Sequence, residues 1–358
     1  MSKGIPAMWM RGGTSKGLYF LKNDISTDIE KRRDFLLSVF GSPDTLQING
    51  VGGGNPLTSK VAIVSKSKRP NIDVDYSFLQ VAVDKYVVSS RQNCGNILAG
   101  VAPFALERGL IKPEKTKTTI RIFMENSKQV AVSTVETPNR NLTYEGHTYI
   151  DGVTLPGAPI SLEFLDIEGS LCGQLLPSGS AKDEVDGYSL TMIDNGMPCV
   201  IIEADQLGLK GNETGDELEK NAIIRDQLEN LRLKCGEMMN LGDVQEKTVP
   251  KMTIVSKPLL KGMINTRTFI PHKCHQSIGV FGAISVATAC LMQGTPANNM
   301  ATIPEGEKKL CSIEHPSGKM QILVELRNKK IKSAAILRTA RKLFDGVVFP
   351  DDNSLKAT

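Results

Sequence analysis

The cysteines of this 358-residue chain are few, and they are spread along its length without a CxxC pair. A disulfide framework or a zinc ribbon needs closer cysteine spacing, and the chain opens without the charged and apolar segments of a secretory signal. We therefore expect reduced thiols in a cytoplasmic protein. The seven positions are Cys94, Cys172, Cys199, Cys235, Cys274, Cys290 and Cys311.

Long apolar runs and a strong charge of one sign are also missing. The longest apolar run, from Gly279 to Met292, is shorter than the roughly 18 residues of a membrane-spanning helix, so it predicts a buried core helix. The 43 basic and 39 acidic residues nearly balance, and no basic block is interleaved with aromatic residues. These absences argue against nucleic acid or a membrane as a binding partner. Anionic small molecules are the partners that the composition still allows.

The motifs of common cofactor and metal enzymes are absent as well. The chain has no GxGxxG after a first strand and no HExxH, and RGGTSKG at residues 11–17 places Ser before Lys, unlike a nucleotide-binding loop. His272, Cys274 and His275 are close in sequence, but His315 alone does not complete a metal ligand set. We expect neither a cofactor nor a metal.

The chain does contain many short segments in which apolar and polar residues alternate, as in half-buried strands. These segments are residues 61–65, 79–90, 118–123, 129–135, 199–204, 251–256 and 320–326. One helix is predicted from an Asn93 cap to Gly109, with a kink at Pro103, and another from Ser277 to Met292. Many strands around one central helix in each half predict an α/β (α+β) architecture that is duplicated.

Two domains are therefore expected, 1–184 and 185–358, with the C-terminal tail either on the second domain or crossing back to the first. Residues 213–239 show a helical charge pattern that predicts a solvated surface helix. Arg338 and Arg341 are spaced as on one helical turn, where they would be solvated cations or would project together.

Two glycine-rich segments carry candidate binding and catalytic groups. In RGGTSKG the glycines let the backbone approach a ligand, and hydroxyls add donors, so the segment is a candidate anion cradle. In GVGGGNPLTSK a lysine stands before the strand VAIVS, where loss of water would suit it to act as a base; the alternative is an exposed lysine in a turn. The candidates are Gly12, Gly13, Thr14, Ser15, Gly53, Gly54, Asn55, Ser59 and the base Lys60.

Two further segments hold a thiol and imidazoles. In RQNCGN, Cys94 is at a predicted helix start, where the helix dipole favours a thiolate; the alternative is a small buried hydrophobic residue. Its neighbours Asn93, Gly95 and Asn96 are candidate substrate contacts. In IPHKCHQS, His272 and His275 are candidates for carboxylate recognition.

The ordered segments MRGGTSKG, GVGGGNPLTSKVAI, DVDY, NCGN, IDGV with a later PGAP, PHKCH and RTARK resemble the PrpF-like isomerase family over nearly the entire chain. Within that family the sequence is similar to the 4-oxalomesaconate tautomerase branch; relatives act on methylitaconate or aconitate isomers. The resemblance implies the diaminopimelate-epimerase-like fold, with two pseudo-symmetric domains, a mostly antiparallel curled sheet around a central helix in each, and an active site in the cleft between them.

The resemblance also implies a cofactor-independent 1,3-proton shift on an unsaturated di- or tricarboxylate. The family's SK pair falls on Ser59 and Lys60, and its reactive cysteine falls on Cys94. True epimerases use two cysteines at matched helix starts, whereas here Cys274 and His275 precede the second helix, so Lys60 and Cys94 are the preferred pair. Alternative functions are a methylitaconate or aconitate isomerase and a non-catalytic carboxylate-binding relative. The expected partner is a small di- or tricarboxylate, and a homodimer is the assembly that we consider.

Overall fold

The computed structural model describes residues 4–90, 94–327 and 330–351, so Asn93, a predicted substrate contact, lies outside the described residues. The described chain is mixed α/β, with many strands and few helices, which confirms the predicted fold class. The strands are β1 (Ile5–Gly12), β2 (Ser15–Leu21), β3 (Lys60–Lys66), β4 (Val74–Val81), β5 (Val88–Ser89), β6 (Lys117–Met124), β7 (Gln129–Glu136), β8 (Ile160–Phe164), β9 (Asp183–Val185), β10 (Tyr188–Asp194), β11 (Pro198–Glu203), β12 (Lys251–Ser256), β13 (Ile264–Phe269), β14 (Lys308–His315), β15 (Gly318–Arg327), β16 (Lys330–Arg338) and β17 (Ala340–Val348).

The helices range from 4 to 17 residues in length. They are α1 (Ile29–Phe40), α2 (Gly95–Leu98), α3 (Val101–Glu107), α4 (Gly215–Lys220), α5 (Ala222–Met238), α6 (Val280–Leu291) and α7 (Pro296–Met300). Single 3₁₀ turns occupy Lys22–Asp24, Pro56–Thr58, Pro138–Arg140 and Ala204–Leu207. Across the described ranges, no helix combines the length and the apolar character that a membrane crossing requires.

The chain forms two compact units. One contains the residues up to Leu165 together with those from Leu337 onward, and the other runs from Asp166 to Ile336. The sequence placed a boundary near residue 184, which in the structure lies within β9 of the second unit. The C-terminal strand belongs to the first unit because β17 pairs antiparallel with β1, from Ile5 opposite Val348 to Gly12 opposite Ala340.

In the first unit, strands β1 to β4 form a sheet with a different helix on each face. Alternate residues of these strands, including Leu18, Val61 and Leu79, form an apolar cluster with Phe35, Leu36 and Phe40 of α1. Asp28 caps the start of α1, and Gly41 ends it in the left-handed conformation. The opposite side packs against α2 and α3, and we call it the α2 face.

The α2 and α3 helices correct the prediction of one kinked helix through to Gly109. Pro103 has no N–H to donate to the Ala99 carbonyl, so the helix breaks around Ala99 and Gly100 and starts again at Val101. The Tyr19 hydroxyl occupies the break and donates a hydrogen bond of 2.5 Å to the Ile97 carbonyl. Pro103 itself lies in the first turn of α3, where a missing N–H is tolerated.

In the second unit, the two faces of the sheet are also covered by helices. An apolar cluster of β10, β11 and β12 includes Leu228 and Leu231 of α5, while α6 is buried along most of its length and is the predicted core helix. The predicted single surface helix at 213–239 is wrong in two respects. It is interrupted at Asn221, whose side chain caps α5, and Arg232 of α5 is fully buried.

The segment RTARKLFDG also differs from the prediction. It forms the end of β16 and the start of β17, and therefore Arg338 and Arg341 do not lie on a helical turn. Arg338 is only 8% exposed, whereas Arg341 is exposed. The helical interpretation failed because pairing of β17 with the distant strand β1 determines the local conformation.

The RGGTSKG segment is a β-hairpin with a tight turn, in which Gly12 is paired with Ser15. Gly13, in the turn, has a φ of +51°. A Cβ atom on Gly17 would lie 2.2 Å from the backbone carbonyl oxygen of Lys60, and one on Gly12 would lie 2.3 Å from that of Asn96. The glycines therefore let the hairpin approach the first residue of β3 and the start of α2.

Replacing Gly17 with alanine is expected to displace β3 at Lys60, because a backbone carbonyl cannot rotate away as a side chain can. The expected cost is about 1–3 kcal/mol, as for overpacking elsewhere, seen as a lower urea midpoint in circular dichroism. Gly282→Ala in α6 is the control, since its Cβ would meet only Ile278 at 3.7 Å. Equal midpoints for the two variants would contradict the close approach.

Candidate active site

Lys60 lies on the α2 face of the first unit, together with three side chains of the next strand. In the antiparallel pair β3–β4, Lys60 is opposite Gln80, Ala62 opposite Phe78 and Val64 opposite Tyr76. Directly paired residues point to the same side of a sheet. Lys60, Gln80, Phe78 and Tyr76 are therefore neighbours on the face that α2 covers.

The Lys60 amino group has neutral partners. The residue is 7% exposed, its Nζ donates to Gln80 Oε1 at 2.8 Å, and it lies 5.2 Å from the centroid of the Phe78 ring. No carboxylate of the described chain lies within ion-pair distance of it. The Gln80 amide is oriented in turn, because its Nε2 donates to the carbonyls of Pro56 and Ser59 at 3.0 Å. The alternative of an exposed lysine in a turn does not apply.

The predicted loop residues before Lys60 are largely bonded to the loop itself. The buried Ser59 hydroxyl donates to Gln47 Oε1 at 2.7 Å, and the Gly54 amide donates to the same oxygen at 3.0 Å. Asn55 caps the following 3₁₀ turn by accepting from the Leu57 amide, and Gly53 packs against Thr58. These contacts fix the backbone that leads into β3.

Cys94 occupies the N-cap position of α2, where the chain enters the helix in an extended conformation. It is partly exposed, whereas the other six cysteines are buried. Burial raises the pKa of Cys172, Cys199, Cys235 and Cys311 to about 12 and that of Cys274 to about 11, and it also raises the pKa of Cys290. Cys94 is thus the accessible thiol of the seven.

Asn96, two residues after Cys94, connects the hairpin to an arginine. Its Nδ2 donates to Thr14 Oγ1 at 3.0 Å, and its Oδ1 accepts from Arg338 Nε at 3.2 Å. The Gly13 amide donates to the Thr339 carbonyl at 2.9 Å. The hairpin predicted as an anion cradle is therefore brought next to the start of α2, and part of its donor set is used internally.

Two buried hydroxyls on the same side of the sheet have no hydrogen-bond partner among the described residues. They belong to Ser15, which is 1% exposed, and Tyr76, which is fully buried. The pKa of Tyr76 is well above its ordinary value because of burial and, next, the neighbouring Cys94. Tyr76 therefore remains a protonated donor beside Cys94.

The two predicted histidines lie in the second unit and have partners there. His272 is mostly exposed, and its Nδ1 is 3.6 Å from a Glu229 carboxylate oxygen. His275 Nδ1 accepts from the Ser277 amide at 2.8 Å, and its pKa is lowered by burial and by the nearby Lys251. Among the described residues, no group of His, Cys, Asp and Glu side chains is arranged to hold a metal ion.

Sequence reasoning did not identify Gln47, Gln80, Tyr76 or Arg338 as part of this region. Gln80 carried a signal, since it is a polar residue within the alternating segment 79–90 and faces the same side as Lys60. Tyr76 lies on the same strand and the same face as Gln80, just before that segment. Gln47 acts on the loop residues Gly54 and Ser59. Arg338 depends on a contact with the distant residue Asn96, which no local pattern indicates.

Alkylation of the folded protein by iodoacetamide at pH 8 is expected to modify Cys94 alone, because the other thiols are buried and protonated. Peptide mass spectrometry after a short reaction measures this, and Cys94→Ala is the control that should take up no label. Rapid labelling of Cys274 or Cys172 in the native protein would contradict the assignment.

The chain is similar to known proteins over nearly its whole length. Residues 2–350 match the family model described as PrpF protein. The chain is 57% identical over 345 residues to a (4E)-oxalomesaconate Delta-isomerase of Novosphingobium sp., covering 96% of this chain and 97% of that one. It is 51% identical over 344 residues to a 4-oxalomesaconate tautomerase of Pseudomonas putida, covering 96% and 95% of the two chains.

A solved structure of a methylitaconate-delta-isomerase superposes with a TM-score of 0.90 at 30% identity, covering 99% of this chain and 97% of that one. The predicted epimerase-like α/β fold is confirmed, and the chain is an isomerase. The alternative of a non-catalytic binding protein is set aside. The match over almost the whole chain means that this protein belongs to the PrpF family.

Proposed function

We propose that this isomerase moves a carbon–carbon double bond in an unsaturated di- or tricarboxylate, with 4-oxalomesaconate as its substrate. The two relatives at 57% and 51% identity, named for 4-oxalomesaconate isomerisation, support this substrate. Lys60 and Cys94 carry the proton transfer. The reaction needs no oxidant or reductant, because one C–H bond breaks and another forms.

The arrangement of Lys60 and Cys94 carries this proposal. Tyr76 lies on the α2 face with Lys60 and is also close enough to Cys94 for that thiol to affect its pKa. Lys60 has a neutral hydrogen-bond partner and no acidic one within the described ranges, and Cys94 is accessible. Two groups that exchange protons thus lie on one side of the sheet.

The chemical steps follow from this pair. One group removes an allylic proton from carbon, and the electron pair of that C–H bond delocalises as a dienolate onto a conjugated carbonyl or carboxylate oxygen. The other group donates a proton to the far carbon, which moves the double bond by one position. Ser15 and Tyr76 supply neutral donors for the oxygen on which negative charge develops, as an oxyanion site requires.

A second candidate is the isomerisation of a methylitaconate or aconitate. The superposition with a methylitaconate-delta-isomerase at a TM-score of 0.90 favours it, since the same framework serves that reaction. The proton transfer is the same for both candidates. They differ in the substituents around the double bond, so a direct comparison of substrates distinguishes them.

The purified protein is expected to turn over 4-oxalomesaconate with a higher kcat/KM than 3-methylitaconate, trans-aconitate or methylaconitate. Turnover in deuterated water, followed by ¹H NMR, measures both product formation and exchange. A higher kcat/KM on methylitaconate or an aconitate would support the second candidate. Failure of all four compounds to isomerise or exchange would contradict the proposed chemistry.

Lys60→Met and Cys94→Ala are each expected to lower kcat by at least about 10²-fold, a common contribution of a general acid or base. Lys309→Met and Cys311→Ala are matched controls, because both residues are buried in strand β14 of the other unit. The controls should keep turnover within about 3-fold of wild type. Wild-type turnover in both active-site variants would remove Lys60 and Cys94 from the mechanism.

The same variants assign the two roles. A variant that lacks only the proton-returning group still removes the allylic proton, and so deuterium enters unreacted substrate without product. A variant that lacks the base shows neither exchange nor product. The residue whose loss abolishes exchange is therefore the base.

A further inference from the structure

We propose that Arg338 binds one carboxylate of the substrate and that Asn96 positions its guanidinium group beside Cys94. This inference rests on the proposed function and names a further binding residue in the same site. It assigns a recognition role to a residue whose sequence context suggested a solvated cation.

Arg338 is buried and has no acidic partner among the described residues. The residue is 8% exposed, and no carboxylate of the described residues forms an ion pair with it. A buried charge is costly unless a counter-charge or several hydrogen bonds compensate it. A substrate carboxylate is the counter-charge that this position lacks.

Arg232 provides an internal comparison. It is fully buried, yet its Nε and Nη2 bind the two oxygens of the Glu229 carboxylate at 2.7 and 2.8 Å. Its Nη1 donates to the carbonyls of Val244, Lys247 and Val249. Arg232 is thus saturated with partners, including a carboxylate, and Arg338 is not.

Among the described residues, the hydrogen bonds of Arg338 use only two of its three guanidinium nitrogen atoms. Its Nε donates to Asn96 Oδ1 at 3.2 Å and its Nη1 donates to its own neighbour's carbonyl, Leu337 O, at 2.9 Å. Nη2 makes no hydrogen bond within the part of the chain described. A guanidinium group binds carboxylates through such paired N–H donors.

Asn96 also fixes where this charge lies. Asn96 belongs to α2, two residues after Cys94. Its side-chain Nδ2 donates to the Thr14 hydroxyl of the hairpin, which fixes the orientation of the amide. Burial lowers the pKa of Arg338 to about 10, and the nearby Cys94 opposes that shift, so the group is a cation at neutral pH next to the thiol. A carboxylate bound there would place an adjacent carbon atom near Cys94.

The test measures carboxylate recognition separately from turnover. The probe is propane-1,2,3-tricarboxylate, a saturated tricarboxylate with no double bond to move, compared with its monomethyl ester by titration calorimetry. Wild type should bind the tricarboxylate at least 10-fold more tightly than the ester. Arg338→Gln should lose about 10- to 100-fold in affinity for the tricarboxylate, as expected for a charged hydrogen bond, and should bind both probes about equally.

Arg341→Gln is the matched control, since Arg341 is an exposed cation three residues away and its loss changes the net charge equally. It should keep the wild-type preference. Asn96→Asp is a second variant that preserves the arginine: the new carboxylate would pair with Arg338 internally and should also abolish the preference. This variant keeps the test valid if Arg338→Gln does not fold.

Retention of the wild-type preference by a folded Arg338→Gln or by Asn96→Asp would overturn the inference, as would an equal loss in Arg341→Gln. The proposed function fails in a different way. Wild-type protein that binds tricarboxylates through Arg338 but neither isomerises nor exchanges any unsaturated carboxylate would contradict that function and leave the binding role intact.

Discussion

The site in the first unit depends on a close backbone contact that glycine alone permits. Gly17 lies against the Lys60 carbonyl and Gly12 against the Asn96 carbonyl, at distances where any Cβ atom would overlap the oxygen. This contact joins the hairpin to the first residue of β3 on one side and to the start of α2 on the other. Lys60 and Cys94 are far apart in sequence, and the hairpin is the element that both of their segments touch. The glycines of RGGTSKG are thus required for assembling the site rather than for cradling a phosphate.

The charges around this hairpin suit the anionic substrate that we propose. Lys60 and Arg338 are both buried, and neither has an acidic partner in the described chain. Ser15 and Tyr76 add buried hydroxyls that likewise lack partners there. A buried guanidinium group and buried donors without an acidic partner are costly in the free protein, and a carboxylate ligand compensates that cost. Binding energy and stabilisation of the dienolate would then come from the same set of groups.

Much of the fold, and the position of part of the candidate site, could be predicted from the sequence for identifiable reasons. The alternating segments located most strands, and the glycine-rich loop before VAIVS identified Lys60 because its composition is local. The break in the first helix was misplaced because Pro103 acts on the carbonyl four residues earlier, not at its own position. Arg338 was misassigned because it ends β16 just before β17, and the pairing of β17 with the distant strand β1 has no local signal in the sequence. Gln47 and Gln80 were missed because their side chains orient Ser59 and Lys60, and such supporting contacts have no motif in the sequence.

The most direct test of the account asks whether Lys60 and Cys94 contact the same ligand molecule. Lys60→Met is expected to lower turnover by at least about 10²-fold while leaving Cys94 available for alkylation, so 4-oxalomesaconate can be added with little consumption. We expect saturating 4-oxalomesaconate to slow iodoacetamide labelling of Cys94 in this variant by at least 10-fold. Labelling of Cys94 at an unchanged rate, with the ligand shown by calorimetry to be bound, would contradict a shared site.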